Sequence, residues 1–378
     1  MRLSPAQYLS IGLSHLTAAS LIAGFFVTKS PNPFRAIPVD ADFAREGSFW
    51  KSADLGVKCS LCPFDCYLTE GARGKCRVRM NRGGVLYTMV YARAVSLNLD
   101  PIEKKPVFHM LPGTGILSFA TVGCPLRCSF CQNWSLSQVY PEQAVKGEQL
   151  APEAIVTAAV NNRIPSIAYT YGEPAVFYEY MHDTARLARK RGLRNVVVTS
   201  GYINPEPLRK LLPYLDVVKV DLKGIREEFY STEVGGYLPA VLDTLKLLAK
   251  TGVQVEVVNL VVPGRNDGAE DFDLLTKWIR ANMGPDTPLF FSRFHPDYKM
   301  RNLPPTPVAT LERARAIALK NGLRFVYLGN VPGHPAESTY CPDDGTLLIE
   351  RSGFQVGRIN LAGDKCPKCG RKIPGIWR

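Results

Sequence analysis

Ten cysteines are the residues of this chain whose type and spacing most clearly indicate chemistry. They form three groups: Cys59, Cys62, Cys66 and Cys76; Cys124, Cys128 and Cys131; and Cys341, Cys366 and Cys369. Within a group, neighbouring cysteines mostly lie three or four positions apart, as in turns that present several thiolates to one metal. A chain of 378 residues does not need the disulfides that stabilise small secreted domains. The spacing therefore predicts metal sites.

The middle group lies in the loop GCPLRCSFCQN, residues 123–133. Three thiolates spaced C-x3-C-x2-C in one loop can ligate three irons of a cubane and leave the fourth iron without a protein ligand. An open iron of this kind needs a small-molecule ligand. The alternative is a tetrahedral zinc site that takes its fourth ligand from elsewhere in the chain.

The first group, Cys59-x2-Cys62-x3-Cys66-x9-Cys76, precedes this loop, and we call residues 57–110 the leader. Four thiolates within so short a segment can hold a metal without help, and both zinc and a second iron-sulfur cluster are compatible with them. Because the group comes before the cluster loop, the sequence favours structural zinc over electron transfer.

The last group resembles two knuckles of a zinc ribbon, CPDDG (341–345) and CPKCG (366–370). Asp344 stands where the second cysteine of the first knuckle belongs. A carboxylate can ligate zinc, so Cys341, Asp344, Cys366 and Cys369 remain a feasible four-ligand site. The alternative is a metal-free ribbon that is held by packing of Leu347, Ile349, Phe354 and Ile376.

The chain that must position these groups alternates apolar β-branched runs with helix-like segments. The predicted strands are Ile116–Val122, Ser166–Thr170, Asn195–Ser200, Val217–Leu222, Val253–Val262 and Leu289–Phe294, with an additional strand at Phe325–Leu328. The predicted helices are Pro152–Asn162, Ala175–Arg191, Pro205–Leu212, Leu238–Thr251, Ala269–Asn282 and Thr306–Asn321. This order is typical of parallel strands buried on both faces. It predicts an α/β fold, a partial (β/α)6 TIM-type barrel with small metal-binding extensions at both ends.

In such a barrel the working residues follow the carboxyl ends of the strands. The junctions after the second to sixth predicted strands carry Gly172 and Glu173, Thr199 and Ser200, Asp221 and Lys223, Asn259, and His295. Simpler interpretations exist for three of them: Gly-Glu-Pro is a common turn at a helix start, Asp221 and Lys223 could form a surface ion pair, and His295 could be an exposed or capping residue.

The cluster loop, with Phe130 just before its last cysteine, resembles the signature of radical S-adenosylmethionine (SAM) enzymes. The resemblance implies that Cys124, Cys128 and Cys131 hold a 4Fe-4S cluster whose open iron is chelated by the amino and carboxylate groups of SAM. An electron from the cluster then breaks the sulfonium C–S bond, and the resulting 5'-deoxyadenosyl radical abstracts a hydrogen atom. In this chemistry the protein contributes binding, orientation and exclusion of water.

The same resemblance assigns roles to the junction residues. Gly172-Glu173 is similar to the family's Gly-Gly-Glu motif, which meets the SAM ammonium group. Asp221-x-Lys223 resembles an element of the pyruvate formate-lyase activating enzymes, in which the Lys pairs with the SAM carboxylate.

Three further junctions complete the implied cofactor site. Thr199 and Ser200 offer hydroxyls suited to a ribose. Asn259 lies on the strand that in this family carries the adenine and ribose. His295 parallels a His that activating enzymes place near the cofactor.

Over residues 57–378 the pattern, which includes the leader and a ribbon ending in IPGIW, resembles the radical SAM member of the AmmeMemoRadiSam system. This resemblance implies Memo-like and AMMECR-type companions and a low-potential electron donor such as flavodoxin or ferredoxin. Activating enzymes suggest hydrogen abstraction from a partner protein. The alternatives are radical methylation or modification of a small molecule or nucleic acid, and a non-catalytic iron-sulfur carrier or scaffold.

The predicted domains are an amino-terminal helix or anchor (1–28), a linker (29–56), the leader (57–110), the barrel (111–335) and the ribbon (336–378). Residues 11–27 are mostly apolar and are either a marginal membrane anchor or a docked helix. The positive charge after this segment predicts a cytoplasmic catalytic part, free or tethered. Despite the net charge of +12, the chain has no run of five like charges, which argues against a dedicated nucleic-acid binder.

Overall fold

The leader and the segment before it form short antiparallel sheets. They are seen in the computed structural model, which describes residues 43–143 and 148–378. The strands are β1 (Arg45–Glu46), β2 (Trp50–Ala53), β3 (Gly56–Cys59), β4 (Tyr67–Thr69), β5 (Arg79–Arg82), β6 (Val85–Thr88) and β7 (Arg93–Ala94). One sheet has the order β1-β6-β5 and another the order β2-β3-β4. The predicted linker, 29–56, thus contains two strands within its described part. Their partners lie later in the chain, so composition alone gave no sign of them.

The predicted barrel is an open sheet of eight strands. Its strands are β8 (Ser96–Pro101), β9 (Gly115–Ala120), β11 (Ser166–Tyr169), β12 (Arg194–Thr199), β13 (Val217–Asp221), β14 (Gln254–Val261), β15 (Leu289–Arg293) and β16 (Val326–Gly329), whereas β10 (Glu148–Gln149) pairs with β7. The order is β16-β15-β14-β13-β12-β11-β9-β8. All neighbours are parallel except β8, which runs antiparallel to β9. All seven predicted strands are present, and the α/β partial barrel is confirmed.

Helices cover this sheet in the order that the sequence predicts. They are α1 (Trp134–Ser137), α2 (Pro152–Asn161), α3 (Tyr178–Lys190), α4 (Pro205–Leu211), α5 (Glu227–Phe229), α6 (Leu238–Leu248), α7 (Ala269–Asn282) and α8 (Val308–Lys320). The predicted helix at 175–191 begins as a 3-10 turn, Pro174–Phe177, before α3. A π-helical turn, Tyr230–Val234, follows α5.

Alternation along the strands separates two cores, because successive strand side chains point to opposite faces. Val197, Val218 and Val257 pack in the large core under the helices. Val196 and Val217 pack inside the barrel with a buried segment that includes Ile102, Val107 and Met110. The interior of the barrel below the strand ends is therefore filled with side chains, and we expect the catalytic residues at the carboxyl ends of the strands.

The carboxyl-terminal extension packs against the side chains that fill the barrel. It contains β17 (Thr339–Tyr340), β18 (Leu347–Ser352) and β19 (Gln355–Ile359), which form one antiparallel sheet. The main chain of Ile376 pairs with both His109 and Leu111 at 2.8 Å. The buried His109 ring bonds the Pro374 carbonyl and the Tyr327 hydroxyl. The tail is thus integrated with the barrel rather than appended to it.

None of the helices in the described ranges 43–143 and 148–378 has the length and apolar character needed to cross a bilayer. The predicted anchor or docked helix at 11–27 lies outside these ranges, so the tether remains a prediction.

Candidate active site

The cluster loop follows β9 at the mouth of the barrel. Cys128 is buried, whereas Cys124 and Cys131 are half-buried. The Cys131 sulfur lies 3.2 Å from the Ser137 hydroxyl. Burial raises the pKa of the Cys128 thiol to about 12, while nearby Lys223 acts in the opposite direction. Since the thiolate is the metal ligand, loading this loop with a cluster must release protons.

The loop is held by the turn that follows α5. The Arg127 and Ser129 amides donate to the carbonyls of Val234 and Glu233 at 2.9 and 2.8 Å. The Phe130 ring stacks on the Phe229 ring with centroids 5.8 Å apart. Phe130 therefore anchors the loop against α5. The π-helical turn is a feature that the sequence did not reveal, although such turns are frequent at functional sites.

Gly172 brings the junction after β11 against the cluster loop. A Cβ at this position would lie 2.9 Å from the Thr121 carbonyl oxygen and 3.4 Å from that of Gly123. A side chain here would force the two backbones apart. The position thus needs glycine because of close backbone approach.

Glu173 is a buried carboxylate that joins two junctions. Its Oε1 accepts hydrogen bonds from the Ala175 amide and the Thr199 hydroxyl, at 3.2 and 2.5 Å. Its Oε2 accepts from the Ser200 amide and hydroxyl, at 2.8 and 2.5 Å. A carboxylate offers about four lone-pair sites, so the chain itself satisfies Glu173. In this arrangement Thr199 and Ser200, predicted for a ribose, donate to Glu173, which positions both residues at the mouth.

The Asp221 carboxylate at the end of β13 lies between two ammonium groups. Lys219 pairs with it directly, and the Lys223 Nζ lies 3.6 Å from Oδ2. Burial opposes ionisation of Asp221, but the two lysines keep its pKa below the usual value. Burial likewise opposes charge on Lys223, yet Asp221 and Cys128 raise its pKa. Two cations share one carboxylate, so this triad carries net positive charge that suits an anionic ligand.

Asn259 lies behind the loop that carries Lys223. It has the strand parity of Val257 and Val261, which belong to the core under the helices. Its amide donates to the Leu222 carbonyl at 2.8 Å. The structure therefore gives Asn259 a positioning contact, while its Oδ1 is buried without a hydrogen-bond partner among the described residues, and a role towards adenine and ribose stays a prediction.

Asn266 is a positioning residue that the sequence interpretation missed. Its side-chain amide donates to the Lys223 carbonyl at 2.7 Å, and its Oδ1 accepts from the Val262 amide at 2.7 Å. An Asn in the turn after a strand was the available signal. His295, by contrast, is exposed beyond β15.

The sequence that carries these junctions is similar to known proteins. Residues 119–279 match the Radical SAM superfamily. An uncharacterized protein of Methanocaldococcus jannaschii is 48% identical over 332 residues, which cover 87% of this chain and 98% of that protein. The chain belongs to the radical SAM superfamily. Membership implies a 4Fe-4S cluster and SAM, and the grouped thiols, the close approach at Gly172 and the positive triad fit both.

More distant relatives of this radical SAM protein have assigned activities. The pyruvate formate-lyase 1-activating enzyme of Escherichia coli is 25% identical over 230 residues, which cover 57% of this chain and 93% of that enzyme. A solved domain of a pyruvate-formate lyase-activating enzyme from Bacteroides vulgatus is 14% identical with a TM-score of 0.39, covering 43% of this chain and 98% of that domain. The structural similarity is too low to indicate a shared substrate.

The four leader thiols meet in one pocket beside the barrel. Cys59, Cys62, Cys66 and Cys76 line it together with Arg79, Ala175 and Val176 at the start of the α3 region. Burial raises the pKa of the Cys76 thiol to about 11. The structure thus brings together the whole predicted leader group.

The carboxyl-terminal group is arranged as a single-ion site. One ligand atom from each of Cys341, Asp344, Cys366 and Cys369 lies within 4.8 Å of the others. The Cys341 and Cys369 sulfurs are 3.5 Å apart, and the Cys366 sulfur is 3.6 Å from Asp344 Oδ2. Each knuckle is closed by matching backbone bonds, Gly345 to Cys341 and Gly370 to Cys366. The set is compatible with metal binding, and zinc remains our prediction for the ion.

Substitution of Asp344 tests the carboxylate ligand. We expect Asp344→Ala to lose the metal and Asp344→Cys to bind zinc more tightly, because zinc favours thiolates in structural sites. Zinc per chain against a competing chelator, and proteolysis of residues 340–378, measure both effects. Asp343→Ala is the matched control, since Asp343 pairs with Arg371 at 2.5 Å and is half exposed. Equal zinc in Asp344→Ala and wild type would contradict ligation.

Proposed function

We propose that this protein binds SAM at the barrel mouth and uses its radical chemistry to abstract hydrogen from a partner protein, as an activating enzyme does. The bound cluster and SAM supply the 5'-deoxyadenosyl radical. The chain supplies three thiolates in one loop, a positive group for the SAM carboxylate, and a mouth shaped by Glu173. The observation that carries the proposal is the position of Lys223 beside the cluster loop, with its Nζ 5.8 Å from the centroid of the Phe130 ring.

Access to the mouth supports a macromolecular substrate. Arg127, Gln132 and Asn133 of the cluster loop are exposed, and so is His295 on a neighbouring loop. The sheet is also open, because β8 and β16 are its two edges. A segment of another protein can therefore approach the cluster loop without a prior opening of the barrel. The activating-enzyme relatives point to the same class of substrate.

The companions that the sequence resemblance implies, a Memo-like and an AMMECR-type protein, are the first candidate substrates. A low-potential flavodoxin or ferredoxin is the proposed electron donor. We propose a cytoplasmic catalytic part, because a low-potential cluster needs an intracellular reductant.

The decisive experiment follows a deuterium atom. The anaerobically reconstituted enzyme is incubated with SAM, a reductant and each companion expressed with deuterated glycine or with other deuterated amino acids. We expect 5'-deoxyadenosine that contains one deuterium from a labelled companion. The variant Cys128→Ala is the control and should give none.

The other outcomes separate the alternatives. Deuterium arriving from a labelled small molecule, or a methyl group transferred from SAM, would replace the protein substrate with radical modification of another class. Absence of SAM cleavage in a fully loaded enzyme, with every companion present, would favour an iron-sulfur carrier.

A further inference from the structure

We propose that the leader cysteines hold a second 4Fe-4S cluster and not zinc. The ligands are Cys59, Cys62, Cys66 and Cys76, which line one pocket. The proposal concerns cofactor binding and does not require that the proposed function be correct. It reverses the preference for zinc that the order of the motifs gave.

Thiol spacing is the first argument. A zinc ion with four ligands at about 2.3 Å draws its sulfurs to about 3.8 Å from one another. The carboxyl-terminal site has this compactness, with Cys341 and Cys369 sulfurs 3.5 Å apart. Its four candidate ligand atoms all lie within 4.8 Å of one another, and among the described residues no other group of three or more candidate ligands is this compact. The leader thiols line one pocket but do not form a group as compact as this one.

The cluster loop, residues 123–133, provides a comparison for thiol spacing within the same chain. Cys124, Cys128 and Cys131 likewise do not form a compact group of this kind, although they belong to the loop that the family uses for a cubane. Thiolates on a cubane bind different irons and are therefore farther apart than ligands of one ion. Within the described residues the chain thus has one compact single-ion group, and its two other cysteine groups are not compact in this way.

Gly74 borders the pocket between the thiols. A Cβ at this residue would lie 3.6 Å from the Cys76 sulfur and 3.7 Å from the Cys66 sulfur. A larger side chain would enter the space between these two ligands. Leu61, Ala175 and Val176 supply apolar walls, as suits a cofactor that is shielded from water.

A buried cation faces this pocket. Arg79 is 1% exposed and lines the pocket with the thiols. Its guanidinium donates to Glu179 at 3.1 Å and to the Ser48 carbonyl, while its Nε has no hydrogen-bond partner among the described residues. A buried donor without a partner is costly, and the sulfides of an anionic cluster accept such hydrogen bonds.

The leader also contacts the catalytic loop directly. The Arg77 guanidinium donates to the Cys124 carbonyl at 3.4 Å. The Cys76 carbonyl oxygen would lie 3.0 Å from a Cβ on Gly123. The two clusters would therefore be close neighbours, and their paramagnetic reduced forms should interact.

The test counts metal in a full-length variant whose leader is untouched. We reconstitute the triple variant Cys124→Ala, Cys128→Ala, Cys131→Ala anaerobically with iron and sulfide in the presence of zinc. We expect about four irons per chain as a cubane, seen by Mössbauer spectroscopy, against about eight in wild type. Adding Cys66→Ala to the triple variant should remove this iron. Adding Cys369→Ala should leave the iron and lower only the zinc.

The electron paramagnetic resonance signal and the zinc content of these variants test the proposal further. Dithionite-reduced wild type should show an electron paramagnetic resonance signal broadened by the second cluster, and the triple variant should show a narrow one. A triple variant that holds no cubane iron would overturn the proposal. Zinc that the triple variant loses when Cys66→Ala is added would make the leader a zinc site, whereas zinc that is lost only when Cys369→Ala is added would leave the leader without either metal. Because this variant keeps every leader residue, a folding defect in Cys66→Ala cannot obscure the result.

Discussion

Alanine at Cys124, Cys128 or Cys131 is expected to reduce reductive SAM cleavage to background. Each thiolate ligates one iron, and a three-cysteine loop has no spare ligand to replace it. The measurement is 5'-deoxyadenosine formed per chain under dithionite. Iron bound by this loop, about four atoms per chain, should be lost in parallel.

A cysteine elsewhere provides the matched control. Cys369 is exposed in the carboxyl-terminal knuckle, where the tail packs on the far side of the filled barrel. Cys369→Ala should therefore leave SAM cleavage close to wild type while changing the zinc content. Cleavage at the wild-type rate in any of the three catalytic-loop variants would refute the role of that loop.

Strands that are buried on both faces could be predicted because their own composition identifies them, without knowledge of the strands with which they pair. Val217–Asp221 and Leu289–Arg293 are short, mostly apolar at their starts, and buried up to their last residue, as is typical of strands in parallel sheets. The edge strand Ser96–Pro101, with Asn, Asp and Pro, has no such pattern. Its place is fixed by pairing with β9, which composition cannot show.

Site residues could be predicted from the sequence where the whole motif lies within one strand-to-helix junction. The Lys219 partner of Asp221 was missed, although two residues along a strand put both side chains on one face. The Arg79–Glu179 pair left no sequence signal, because its partners are 100 positions apart. The same limit applies to Glu173: its residue type was recognised, but its bonds to Thr199 and Ser200 depend on how two strands are packed.

Lys223 is expected to control SAM affinity. A charge-assisted bond to a carboxylate contributes about 1.5–3 kcal/mol, roughly ten- to a hundred-fold in Kd. The Lys223 side chain is 17% exposed, so solvent screens this contact little. Lys223→Met keeps the aliphatic part of the side chain and removes the charge. Equilibrium binding of SAM to the oxidised, reconstituted protein measures the loss without cleavage.

Two comparisons show whether the loss comes from this charge at this place. Lys277→Met removes an exposed ammonium that pairs with Asp273 on α7, and it should not alter Kd. Iron content should stay at the wild-type level in Lys223→Met, because Lys223 lies beside the thiols without ligating the cluster. Removing Lys223 also leaves Lys219 alone with Asp221, which cancels the net positive charge of the triad. Unchanged SAM affinity in a fully loaded Lys223→Met protein would therefore show that the carboxylate is bound elsewhere.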